Sequence, residues 1–230
     1  MKIWQKSVAA LVWVALTFLR SECALSESVD LHDSIEKKMR VINQLHNALH
    51  RTKQAGRVYY RADCVPEEVR PNIFPQAIRF PDLELKDYPL GHDGVRSVHD
   101  IFDRNRGITT VEDSANIVRI RINHPSGEIL KTLIPVLAFT HDQQYDARQA
   151  IGAIFHAKEV TAELERLNMQ PILRAEDYIS AYPHEGAPHL RPSLRRVTVD
   201  QALDAVAITF HGIIAYGSCM QPRVFDVEFF

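Results

Sequence analysis

His46 and His50 stand four residues apart in a stretch of helical pattern, so they share one face and could grip a metal ion there. A metal site needs more than two ligands. No cysteine or acidic residue stands at a telling spacing from the pair, and the glutamate that a zinc-protease helix carries between its histidines is missing. His156 with Glu159, and His184 and His189, are isolated polar residues in polar settings and read as solvated side chains. Glycine-rich phosphate loops, Gly-x-Ser-x-Gly elbows and Cys-x-x-Cys pairs are all missing, so hydrolase and redox chemistry lack their local signatures. Cys64 as a nucleophile is weaker than Cys64 as a structural residue. The densest basic cluster, Arg191, Arg195 and Arg196, could meet a carboxylate or phosphate, or could guard a strand against unwanted pairing. No residue is assigned a catalytic, cofactor-binding or metal-binding role.

The compartment explains how the cysteines are used. Lys2 and Lys6 precede an apolar run from Val8 to Leu19, too short for the roughly 20 residues of a membrane-spanning helix, and the chain turns polar at Arg20. Residues 1–26 are therefore expected to be a signal peptide, with cleavage before Glu27 or after Ala24. Cys23 invites a lipoprotein reading, but Glu22 before it does not fit. No later segment is apolar for long enough to span a bilayer, so a periplasmic or secreted protein is expected. Cys64 and Cys219 would then be the remaining thiols, and an oxidising compartment makes them disulfide candidates; the alternative is two buried, unpaired cysteines. The net charge of −2 offers no basic face for nucleic acid.

The elements follow from periodicity. In 27–57, Leu31, Ile35, Met39, Ile42, Leu45 and Leu49 form one helical stripe, with Lys37, Lys38, Arg40, Asn43 and Asn47 opposite. That stripe should lie on the body of the protein, with self-association or a different protein as alternatives. β-prone runs follow at Val58 to Tyr60 and Ala77 to Phe80. Then comes a helix from Val95 towards Gly107, capped by Asp93, and strands at Ile108 to Val111 and Ile117 to Ile122. Ile129 to Phe139, with Pro135 inside it, fits a kinked helix or a buried strand. Ala147 to Leu167 reads as one helix, and residues 180–192 as a linker. Thr198 and Gln201 form a capping box for a helix ending at Gly212, and strands follow through Ile213 to Tyr216 and Val224 to Phe229.

The pattern of extended approach, helix, glycine and hairpin thus occurs twice. The expected fold class is α+β: two β-α-β-β units with small mixed sheets over 58–125 and 181–230, joined by a helical connector over 126–180. The second copy resembles the secretin and TonB N-terminal short domain, through Leu194 and Val197, then Val199, Ala202, Leu203 and Val206, then Ile213 to Tyr216. The first copy is similar through Leu83, Leu85, Val95, Val98, Ile101, Phe102 and Ile108 to Val111. Secretins continue into a pore and TonB-dependent receptors into a barrel, and neither follows within these 230 residues. The resemblance implies a free-standing envelope protein that docks another protein without catalysis or cofactor. Strand pairing at Ile213, Ile214, Ala215 and Tyr216 would supply the partner-binding edge. Alternatives are a secreted hydrolase with a dispersed site and an envelope signal-transduction component.

Overall fold

The computed structural model describes residues 32–49, 53–65, 78–85, 95–123, 127–173, 186–220 and 223–230. The expected signal peptide, the cap at Asp93, His50 and His184 lie outside them. In chain order the elements are α1 (32–49), β1 (Ala55–Arg61), α2 (Val95–Phe102), β2 (Thr109–Ser114), β3 (Ile117–Ile122) and β4 (Leu133–Ala138). There follow α3 (His141–Tyr145), α4 (Ala147–Phe155), α5 (Lys158–Leu167), β5 (Gln170–Leu173), β6 (Ser193–Thr198), α6 (Val199–Phe210), β7 (Ile213–Met220) and β8 (Arg223–Phe229). Helices combine with mixed and antiparallel sheets, the α+β class.

Six strands form one sheet in the order β2-β3-β1-β7-β8-β5, with β1 parallel to both β3 and β7, and both hairpins antiparallel. Alternation along the central strands sends Val58, Tyr60, Val118, Ile120, Ile213 and Ala215 to one side, where α1 and α2 cover them. Tyr59, Ile117, Ile214, Tyr216, Phe225 and Val227 go to the other side, under α4, α5 and α6. Strands buried on both faces are apolar at most positions, as β1 and β7 are, and the buried exception in β1, Arg57, has to be paired.

The two units expected from the sequence share this one sheet instead of having a small sheet each. β1 takes a neighbour on each side and so joins the two hairpins. α2 packs with α1, whereas α6 packs on the opposite face. The strand before α6, β6, leaves the main sheet to pair with β4, and Leu83 and Leu85 lie in irregular chain.

Four local expectations change. Lys38, expected on the solvated side of α1, is buried, while Met39 of the apolar stripe is exposed; acidic partners on β8 draw the lysine inward. The helix expected from Ala147 to Leu167 is two, because Ala157 turns extended after His156 and so directs both Phe155 and Val160 into one core. Ile129 to Phe139 is a one-turn 3-10 helix and then strand β4, with Pro135 exposed at a place where losing an N–H costs little. The described part of the linker is pinned, with Leu190 buried and its N–H donating to Gln144 O at 2.8 Å. At the end of α6 the left-handed residue is His211, at φ 50°, and Gly212 is needed for space: a Cβ there would come within 2.2 Å of the Phe229 ring.

Candidate functional site

Cys64, just beyond β1, and Cys219, near the end of β7, are joined as a disulfide with their Cα atoms 5.2 Å apart. Ile213 to Tyr216 do not form an edge: β7 is bonded to β1 on one side and β8 on the other, so its backbone groups are used inside the sheet. His46 is exposed on α1, His156 caps α4, and His189 stacks on Tyr145 at 5.2 Å. Among the described residues no group of three or more His, Cys, Asp or Glu could hold a metal ion.

Two buried charge clusters tie helices to the sheet. On the α6 side, Arg57 is fully buried, and its guanidinium donates to Asp204 Oδ1 at 2.9 Å, Asp200 Oδ1 at 3.2 Å and Asp200 O at 3.2 Å. Tyr59 donates to Asp200 Oδ1 at 2.6 Å, and Arg119 pairs with the other oxygen of Asp204. Burial raises the Tyr59 hydroxyl well above its ordinary range, against the pull of Arg57. The spacing of Asp200 and Asp204, one turn apart on α6, places both carboxylates over β1. On the opposite face Lys38 Nζ lies 2.7 Å from Glu228 Oε1 and 3.8 Å from Asp226 Oδ2, with the Tyr60 and Phe230 rings each 5.8 Å away. Burial alone would lower the Lys38 pKa; Tyr60, Asp226 and Glu228 raise it above its usual value. These carboxylates are engaged by cations, and the hydroxyl beside them, that of Tyr59, donates to Asp200 and is kept protonated by burial. Their chemistry is cross-bracing.

The exposed chemistry lies elsewhere, on the β4–β6 ribbon. Alternation would turn one of any two consecutive side chains inward, yet Pro135 and Val136 both face water, and so do Arg195 and Arg196 on the facing strand. The cause is local: Arg196 holds φ at 52°, a left-handed conformation that costs a non-glycine residue about 1 kcal/mol or more. The register has no pairing between Pro135 and Arg196, and Ile134 and Leu137 still reach the core. Val136 is 57% exposed and Leu133 52%, the largest exposures among the big apolar side chains described. Arg195 stands opposite Val136 in the register, Arg196 follows it, and Lys131 and Arg191 lie just before β4 and β6; all four are exposed. Each strand of the ribbon has one strand neighbour, which leaves two open edges among the described residues. The sequence singled out the arginines; Ile129 to Phe139 fitted a kinked helix or a buried strand, and neither reading marked Leu133 and Val136 as exposed.

A cleft of about 850 Å³ opens at the carboxyl ends of the parallel strands β1, β3 and β7, between Arg61, Asn123 and Met220. No sequence signal marked it, because its walls come from α1, from the chain after β1, and from 79–82. No protein-family model, no curated protein and no solved structure matches the chain. What is defined is therefore a class: an α+β protein with a disulfide between Cys64 and Cys219, whose mixed sheet lies between helices. Among the described residues no helix is long and apolar enough to cross a membrane.

Proposed function

We propose that the protein is an exported, non-catalytic interaction module of the cell envelope, and that its docking surface is the β4–β6 ribbon. Export is supported by the amino-terminal pattern and by the disulfide, which persists in oxidising compartments. The envelope assignment rests on the resemblance to the secretin and TonB N-terminal short domain, whose matching residues here include β6, α6 and the start of β7.

The observation that carries the reading is the left-handed Arg196, which spends backbone strain to hold two arginines outward beside exposed Leu133 and Val136. The same break in alternation lets Ile134 and Leu137, three residues apart, both point into the core. A ribbon with open backbone edges, an apolar stripe and four cations fits an extended, acidic segment of another protein, added as a third strand.

A photocrosslinker at Val136 or Arg195 should capture one envelope protein. Arg195→Glu combined with Arg196→Glu should lower that capture by about tenfold or more, while Arg166→Glu on α5 should leave it unchanged. Capture that survives the double reversal would overturn the docking surface.

A further inference from the structure

We infer that the cleft at the carboxyl ends of β1, β3 and β7 binds a short peptide with both termini free, holding its carboxylate at Arg61 and its ammonium at Asp63. This does not rest on the ribbon. In sheets with parallel strands the carboxyl ends are where ligands settle, because the chain leaves the sheet there in divergent directions. Here three mutually parallel neighbours end together.

The walls are fixed in advance. The Cys64–Cys219 disulfide ties the chain leaving β1 to β7, and an antiparallel bridge joins Cys64 to Ile78. Phe80 N–H donates to the buried Ser34 Oγ of α1 at 2.7 Å, and Asn123 Nδ2 donates to Arg61 O at 3.2 Å. Lys37 bridges Asp33 and Asp82, which fastens α1 to the 79–82 segment and removes that lysine from ligand duty. Such preorganisation lowers the ordering cost of binding.

Two groups in this fixed frame are uncommitted. Arg61 and Asp63 are both exposed, line the cleft, and among the described residues make no side-chain hydrogen bond or ion pair. They stand two residues apart, at most roughly 7 Å along the backbone, which is about the span of a dipeptide. An unfilled cation and an unfilled anion two residues apart in one cleft can meet the two ends of such a ligand. The volume falls within the roughly 300–1,000 Å³ of small-ligand sites, and Phe80 and Met220 offer apolar contact to its side chains.

The test is a titration of the disulfide-bonded protein with L-alanyl-L-alanine, followed through the amide resonances of Ala62 and Asn123. The dipeptide should shift them saturably at millimolar concentration, and N-acetylation or C-amidation should each weaken binding by about tenfold. Asp63→Asn should abolish the penalty of acetylation alone, and Arg61→Gln that of amidation alone; both side chains are exposed, so both variants should keep the parent melting temperature. Unmoved resonances, equal binding of the blocked dipeptides, or equal shifts with inorganic phosphate would each overturn the inference.

Discussion

Asp204→Ala tests the claim that α6 is held to the sheet by charge and not only by its apolar face. Asp204 is 13% exposed in its side chain and accepts from Arg57 at 2.9 Å and from Arg119. Removing it leaves Arg57, which has no exposed surface, with Asp200 alone. Breaking a buried pair by deleting one partner costs about 3–5 kcal/mol. The surviving Asp200 contacts place this case near the lower end, about 3 kcal/mol, a large part of the roughly 5–15 kcal/mol that keeps a domain folded. Replacing both members, Arg57→Met with Asp204→Leu, strands no buried charge, because the partly exposed Arg119 can turn to water. That double variant should lose less than the single one, under about 2 kcal/mol. Urea unfolding followed by circular dichroism gives both numbers, provided the slope m is unchanged. A loss under about 1 kcal/mol for Asp204→Ala, or a double variant as unstable as the sum of the singles, would refute the reasoning.

Cys64→Ala with Cys219→Ala should lower stability by up to about 5 kcal/mol on chain entropy, since the bridge closes a loop of 155 residues; equal urea midpoints with and without reductant would reject it. Alkaline unfolding follows from three tyrosines. Burial raises Tyr59, Tyr60 and Tyr216 above their ordinary pKa of about 10, so the unfolded chain sheds these protons first. The stability they contribute is intact below about pH 10 and declines as pH rises towards their folded values. Lys38, also raised, adds a decline in the same direction. Tyrosinate absorbance from these residues should therefore emerge together with loss of circular dichroism; ionisation in a still-folded protein would contradict the burial argument.

The capping box of Thr198 and Gln201 was legible because its signal is local, and both of its hydrogen bonds form, at 2.9 and 3.2 Å. Helix periodicity around Val98, Ile101 and Phe102, and around Ala202, Leu203 and Val206, also survives as buried faces. The hairpins β2–β3 and β7–β8 were legible for the same reason, being short-range. The placement of β1 between them was not, since its partners lie far along the chain and any β-branched, aromatic strand satisfies the same pattern. Lys38 misled because its charge argues for solvent unless Glu228 is known to stand 2.7 Å away. Ala157 misled because alanine carries no breaking signal, and only packing explains why the helix stops beside it. The cleft could not be read at all: Arg61 and Asp63 are ordinary charges until the ends of three strands surround them.

The position of β1 also governs the order of events during synthesis. It is the earliest strand described, yet its neighbour β7 emerges only after α2 to α6, and β5 waits for β8. One side of the oldest strand therefore keeps its backbone groups unbonded to a strand until almost the last residues have been made.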